Sequence, residues 1–359
     1  MRSSIALLGL ASLALQLAAA KVYFREEFDQ FDTTSRWVQS RAKNNFGRWE
    51  LATGALVADP AINQGLQTKG DSSYFALSAA LEEPFKTYGK PLVLQYSVRF
   101  DRVIDCSGSY IKLYPANLDQ LELTGESPFS VMFGPDMCGS SHFVKVLLSH
   151  KGKNYEIKKA ISPINDQLTH LYTLIIKPNR TYQILIDNKR KAAGRLVDDF
   201  DFVQPESIPD TKATKPADWD DRLMIPDPEA TPPADWVDHP QEIPDPEAQQ
   251  PEEWDDDMDG PWEAPLLANP AYLSWNPPPV KNPNYQGPWS APDIPNPKYN
   301  PKAKYLDYTL GYLGFDLWQV TSGVIMDNIL VTDDVDYAKE FADATFTSLR
   351  KLERRAKKA

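Results

Sequence analysis

Four histidines, two cysteines and one dense block of carboxylates hold most of the chemically capable residues of this 359-residue chain. His142, His150, His170 and His239 show no metal-ligand spacing. His170, within Thr-His-Leu-Tyr, reads as a structural histidine at a strand entry. Residues 206–260 carry 18 Asp and Glu against three Lys and Arg, whereas the whole chain is only −12, so the remainder is slightly basic. That acidity concerns the partners or cations of one segment and says little about the rest. Outside it, no close acidic pair lies on a single candidate strand, which argues against a glycoside hydrolase, whose chemistry needs two carboxylates at a set separation. Cys106 and Cys138 are the only cysteines. In an oxidising compartment they predict a disulfide, worth roughly 3–4 kcal/mol in the chain-entropy model, with two reduced buried thiols as the alternative. Residues 1–20 predict entry into such a compartment: Arg2, an apolar run over 5–17, then Ala18-Ala19-Ala20 at the cleavage positions. No later segment approaches 18 uninterrupted apolar residues, so no membrane span is predicted. Asn179-Arg180-Thr181 is a glycosylation sequon.

The elements that position these residues fall into two styles. Over residues 21–203, Leu92, Leu94, Tyr96, Val98 and Phe100 alternate with Val93, Gln95, Ser97 and Arg99, the period of a strand with two different faces. Residues 143–148 and 155–158 flank a Lys151-Gly152-Lys153 turn, and 171–176 and 182–186 flank Pro178-Asn179-Arg180. Many short strands with regular turns predict an antiparallel β-sandwich. Residues 204–301 differ, holding 23 of the 31 prolines and six of the nine tryptophans. Ile-Pro-Asp recurs at Ile208, Ile225 and Ile243, each followed eleven residues on by Trp219, Trp236 and Trp254; then Asn-Pro recurs at Asn269, Asn282 and Asn296, each followed by Tyr272, Tyr285 and Tyr299. Proline excludes ordinary helices and central strands here, yet regular aromatics argue against disorder. A reversal over residues 256–260 would set the two repeat series against each other in antiparallel order, with rings covering the seam, as an arm on the order of 100 Å. Strands return over 317–320 and 324–331, so the arm reads as an insertion within one sandwich completed by residues 302–332. Residues 333–359 predict a C-terminal helix capped by Asp333 or Asp334, with Ala338, Phe341, Ala342, Leu349 and Leu352 on its apolar side and a basic, solvated end.

A leader, a β-sandwich and a Pro/Trp/Asp repeat arm together resemble the calreticulin and calnexin family of lectin chaperones. The residues that carry the resemblance are Lys-Pro-Ala-Asp-Trp-Asp-Asp at 215–221, Ile-Pro-Asp-Pro-Glu-Ala at 225–230 and 243–248, Met-Asp-Gly-Pro-Trp at 258–262 and Gly-Phe-Asp-Leu-Trp-Gln-Val at 314–320. Three copies of each repeat without an anchor are similar to the calreticulin branch; the calnexin branch has four copies and an anchor. The resemblance implies a concanavalin-like jelly-roll sandwich. It implies a non-enzymatic, monomeric, calcium-dependent chaperone of the endoplasmic reticulum lumen that binds monoglucosylated high-mannose N-glycans on unfolded glycoproteins, with no nucleic-acid partner. A secreted calcium-binding interaction protein with weak lectin activity is the alternative. Carried over, the sugar site falls on Tyr110, Lys112, Phe129, Met132, Asp136, Asp316 and Trp318. Tyr110 and Lys112, two apart, share a strand face, and Cys106–Cys138 would staple the strand of Tyr110 to a loop bearing Asp136. The family's calcium site falls on backbone oxygens of Glu27, Ile62 and Gln64 and the Asp327 side chain; calcium takes six to eight oxygens, and backbone donors tolerate side-chain change. The arm tip of this family recruits an oxidoreductase of the protein disulfide isomerase type, here through Asp257, Asp259 and Trp262.

The chain departs from the family at several positions. Phe129 stands where a Tyr is usual and Glu126 where an Asp is usual; losing one hydroxyl removes about 0.5–1.5 kcal/mol of sugar hydrogen bond. Pro261 replaces a Glu at the tip. The sequence ends Arg-Arg-Ala-Lys-Lys-Ala, without the family's acidic, calcium-buffering tail or its retrieval signal. Either the sequence stops short of that tail, or this is a divergent member with reduced calcium storage and looser retention, for which secretion is the alternative location.

Overall fold

The structure, a computed structural model, describes residues 21–28, 36–54, 64–234, 236–272 and 274–357. The expected leader over residues 1–20 and the expected calcium ligand Ile62 lie outside them. The chain divides into two compact units, one formed by Met1–Glu206 with Pro297–Ala359 and the other by Ser207–Asn296.

The first unit is a sandwich of two antiparallel sheets. One runs, edge to edge, through Lys189–Arg195, Thr181–Ile186, His170–Ile176, Leu92–Phe100, Val324–Thr332, Gly65–Lys69 and Arg48–Ala52, with Val22–Glu26 also paired to Val324–Thr332. The other runs through Lys153–Glu156, Ser141–His150, Val131–Cys138, Cys106–Gly108, Thr309–Gln319, Ser73–Lys86 and Trp37–Gln39, with Ile111–Pro115 between Val131–Cys138 and Thr309–Gln319. Thr309–Gln319 begins earlier than the 317–320 segment predicted, and it sits in the middle of its sheet. One core fills the space between the sheets: Leu94, Tyr96 and Val98 from one face meet Ile111, Leu113, Val131, Phe133, Phe315 and Leu317 from the other. The Tyr96 hydroxyl, buried there, donates to the Ser109 carbonyl at 2.7 Å, so this core hydroxyl is satisfied.

The polar face of Leu92–Phe100 is not solvated, because the C-terminal segment lies over it. In place of one helix there are two, Val335–Ala344 and Phe346–Ala356, broken at Thr345. Asp334 is the cap, accepting from the amides of Asp336 and Tyr337 at 2.8 and 2.9 Å. Ala338 and Phe341 pack on Val93, Ile175 and Leu330, while Ala342 and Phe346 pack on Leu171. Leu349 is buried and Leu352 half-buried. The end expected to be solvated buries Glu353 and Arg350 instead. Glu353 accepts from the Thr169 amide at 2.9 Å and lies 3.5 Å from Arg99, and Arg350 Nη2 reaches Asp166 at 3.3 Å. His170 is held between Asp187 and Asp166 at 2.9 and 2.8 Å, the satisfied histidine that its strand position suggested. A buried charge is tolerated only when paired; each of these groups has an ion-pair partner, while Arg350 Nε and Nη1 have no hydrogen-bond acceptor among the described residues.

The second unit is a ladder of three short antiparallel pairs: Ser207–Pro209 with Asp293–Pro295, Met224–Pro226 with Pro279–Lys281, and Glu242–Pro244 with Leu266–Ala268. Ile208, Ile225 and Ile243 therefore face Ile294, Val280 and Leu267 in the antiparallel order expected of the two repeat series. Prolines end each pair at three residues because they cannot donate to a ladder. The repeat Asp and Asn residues hold the turns between rungs. Asp227 and Asp245 accept from amides two residues on at 2.9 Å. Asn269 and Asn282 also donate across to the Pro240 and Arg222 carbonyls at 2.8 and 2.9 Å. Trp219 donates its indole N–H across the seam to the Gly287 carbonyl at 2.9 Å. At the reversal lies a single turn of helix, Asp256–Asp259, capped by Asp255 and ended by Gly260 at φ 80°, the left-handed region that favours glycine.

Candidate functional site

The expected sugar residues lie on the outer face of the second sheet. Side chains alternate along strands: Ile111 and Leu113, Val131 and Phe133, and Phe315 and Leu317 enter the core. Lys112, Met132, Asp316 and Trp318, one residue out of phase, are thereby turned outward. The register sets Lys112 opposite Met132 on one side and Gly314 on the other, with Asp316 two residues further along. Asp136 sits opposite Gly108 on the strand Val131–Cys138, not on a loop as expected. Cys106 and Cys138 form a disulfide between directly facing residues of those two strands, fixing the end of the sheet that carries Asp136.

At the centre is an ion pair. Lys112 Nζ lies 2.7 Å from Asp316 Oδ2, and the two side chains are 5% and 9% exposed. Lys112 also lies 4.9 Å from the Phe129 ring centroid and 5.7 Å from that of Tyr110, within cation–π reach. Burial raises the Tyr110 hydroxyl well above its usual range, and the Asp316 and Asp136 carboxylates raise it further. Tyr110 thus stands within the fields of both carboxylates and remains a protonated donor at neutral pH. Burial likewise pushes the Asp136 carboxyl up, with Lys145 opposing and Glu156 reinforcing. Phe129 belongs to a small apolar cluster on this same face, with Ala76, Tyr114, Leu123 and Tyr312, which anchors the segment that follows Pro115.

Two residues of this face were not legible as site residues. Tyr74, on the neighbouring strand, faces Trp318 in register, and their ring centroids are 4.5 Å apart; they are 42% and 38% exposed, forming an open aromatic surface, with Lys43 Nζ 3.5 Å from the Tyr74 ring. Gly125 lies so near the ion pair that a Cβ there would stand 3.7 Å from Asp316 Oδ2. The signal for Tyr74 was its place two residues before Ala76 on an alternating strand; nothing local marked Gly125. The face as a whole combines two carboxylate acceptors, an ammonium and a phenol donor, and apolar surface from Met132, Tyr74 and Trp318. That set matches the hydroxyls and C–H faces of a sugar.

Of the expected calcium residues, the three that are described, Glu27, Gln64 and Asp327, lie on the other sheet. Glu26 pairs with Ile329 and Leu66 with Met326, so the ends of two strands, with Glu27 and Gln64 next in line, border Asp327 and Asn328 from the same edge of Val324–Thr332. The register shifts between Asp327 and Leu330, and Asn328 adopts φ 51°. This bulge lies within the strand, not at its end. Asp327 is buried, and Asn328 Nδ2 donates to its Oδ2 at 2.8 Å. Among the described residues no group of three or more His, Cys, Asp or Glu could hold a metal. One buried carboxylate at a bulge bordered by two strand ends suits a hard cation whose other oxygens would come from the backbone.

At the tip of the second unit, Trp262 is half-buried and Asp257 exposed. Asp259 belongs to the tip helix, but its side chain is not among those described. Trp254 donates to the Gly260 carbonyl at 2.9 Å, and Met258, which the sequence gave no reason to single out, is 83% exposed.

A model of the calreticulin family matches residues 24–259 and 258–331. Calreticulin of Oryctolagus cuniculus is 48% identical over 355 residues, covering 98% of this chain and 84% of that one. Calreticulin of Chlamydomonas reinhardtii is 50% identical over 337 residues, covering 92% and 80%. Among solved structures, the T. cruzi calreticulin globular domain superposes with a TM-score of 0.64 at 28% identity, covering 94% of this chain and 98% of that one.

Proposed function

The chain belongs to the calreticulin family and is a lectin chaperone of the calreticulin type, and from that premise we propose that the outer face around Lys112 and Asp316 holds its glycan. The observation that carries this reading is the buried 2.7 Å ion pair flanked by Tyr110, Met132, Asp136 and Trp318. A buried pair of opposite charge costs desolvation and is a weak source of stability. On this sheet face it supplies fixed donors and acceptors instead. Asp316 and Asp136 accept sugar hydroxyls, Tyr110 donates one, and Met132 and Trp318 meet the ring's C–H face. The glycan is monoglucosylated and high-mannose, carried by unfolded glycoproteins in the endoplasmic reticulum lumen, where the protein acts as a monomer. Titration of the full chain with a glucosylated trisaccharide should give saturable binding; none detectable with the wild type overturns the site.

Carbonyl oxygens of Glu27, Ile62 and Gln64 and the Asp327 side chain would hold a calcium ion, which would tie this bulge to the neighbouring strand ends. A ligand that binds only the folded state stabilises it by mass action. Recruitment of an oxidoreductase of the disulfide isomerase type falls to the arm tip, through Asp257, Asp259 and Trp262. An acidic turn steers a basic partner, and one indole anchors it. Trp262→Ala should weaken that binding by tenfold or more, measured by titration with the isomerase; unchanged affinity removes Trp262 from the contact.

A further inference from the structure

A cavity of about 270 Å³ opens in the sandwich unit, away from the sheet face that carries Lys112. Three turns converge on it, at residues 87–90, 177–180 and 301–306. Lys90, Lys177, Arg180 and Lys302 line it, and no carboxylate does, although the chain as a whole is −12. Clustered like charges repel unless an anion joins them.

These cations are only partly engaged. Lys90 is held by the Tyr23 hydroxyl at 2.9 Å and Asp333 at 3.4 Å. Arg180 donates to the Ala303 carbonyl at 3.2 Å and lies over the Tyr305 ring, 5.0 Å from its centroid. Among the described residues, neither Lys177 nor Lys302 has a carboxylate within ion-pair distance. The lining also includes Leu92, Ile176 and Leu196, all buried, so the charges ring an apolar patch. Leu306 lines the cavity at φ 58°, a left-handed conformation unusual for a branched side chain, and its carbonyl accepts from Thr87 Oγ1 at 2.5 Å. Strained residues held this way cluster at ligand clamps.

We propose that this cavity is a second ligand site, which binds a small organic phosphate with its phosphoryl oxygens on Lys177, Arg180 and Lys302 and its carbon body on Leu92, Ile176 and Tyr305. A phosphate offers several strong acceptor oxygens to donors from three sides, and the guanidinium fork suits it. The volume falls just below that of pockets for drug-sized ligands, which fits a body the size of one ring.

The test is calorimetric titration of the full chain with phenyl phosphate at physiological salt, beside benzyl alcohol, benzoate and inorganic phosphate. Saturable binding of phenyl phosphate is expected, with the three comparators at least about tenfold weaker. Lys177→Gln and Lys302→Gln should each weaken it about tenfold while leaving trisaccharide binding and the melting temperature unchanged; both side chains lie on surface turns. Absence of phenyl phosphate binding overturns the site, as does undiminished binding by the double variant. Equal binding of benzoate overturns the phosphate assignment, and equal binding of inorganic phosphate overturns the carbon-body contacts.

Discussion

Replacing Lys112 by Met probes the centre of the proposed glycan face as both a structural and a recognition element. The ammonium lies 2.7 Å from Asp316, and the two side chains are 5% and 9% exposed. Their attraction is therefore little screened by solvent or salt. Lys112→Met strands a buried carboxylate and should cost about 3–5 kcal/mol of folding free energy. Asp316→Asn strands a buried ammonium and should cost a similar amount. The double variant strands neither charge, so its cost should fall short of the sum of the single costs by about 2–3 kcal/mol, the upper range for residues in direct contact. Urea unfolding of all four proteins measures this. Binding behaves differently, since each variant loses charge-assisted hydrogen bonds to sugar hydroxyls, worth about 1.5–3 kcal/mol, or more than tenfold in affinity. The double variant should thus recover stability without recovering trisaccharide binding. Additive stability costs would refute the pairing, and a double variant that binds like the wild type would refute the role in recognition.

Phe129→Tyr should return a hydroxyl to this face and tighten trisaccharide binding about two- to tenfold; equal or weaker titration counts against Phe129 as a glycan neighbour. Burial raises the Asp136 carboxyl above its usual 3.8, so it takes up a proton at higher pH than an ordinary carboxylate. Glycan affinity should hold above that raised value and fall as acid passes through it, while Asp136→Asn binds weakly with a flat profile; parallel profiles would exclude Asp136 as the titrating acceptor. The stability linkage has the opposite sign: the ionised, half-buried carboxylate opposes folding at neutral pH, and protonation relieves it. Chelating calcium should lower the wild-type melting temperature, whereas Asp327→Ala should melt lower and respond less to calcium; a wild type indifferent to chelation contradicts the calcium site.

How far the molecule is legible from its sequence depends on the range of the interaction concerned. The hairpin turn at Lys151-Gly152-Lys153 is local and matches the observed pairing of Ser141–His150 with Lys153–Glu156. The order of the arm's ladder follows from repeat spacing and the exclusion of proline from central strands, again local constraints. By contrast, the alternation that sets Gln95, Ser97 and Arg99 on a second face of their strand reports two faces without saying what covers either. Helices more than 200 residues away cover that face, and the Gln95 amide donates to the Ala338 carbonyl at 3.2 Å. Arg350 and Glu353 read as a basic, solvated tail for the same reason: their partners Asp166, Thr169 and Arg99 are remote in sequence.

By itself, the sequence determined the sandwich, the inserted arm, the cysteine pair and the residue types of the proposed glycan face, because periodicity, proline placement and motif are written along the chain. Tertiary structure alone decided that Lys112 and Asp316, separated by 204 positions, share one buried hydrogen bond. It also decided that Tyr74 lies beside Trp318, and that four cations from three turns line one cavity. The physical reason is the same in each case. Strand alternation tells which side of a sheet a residue faces, but which strands become neighbours is settled only when the two sheets close on their shared core.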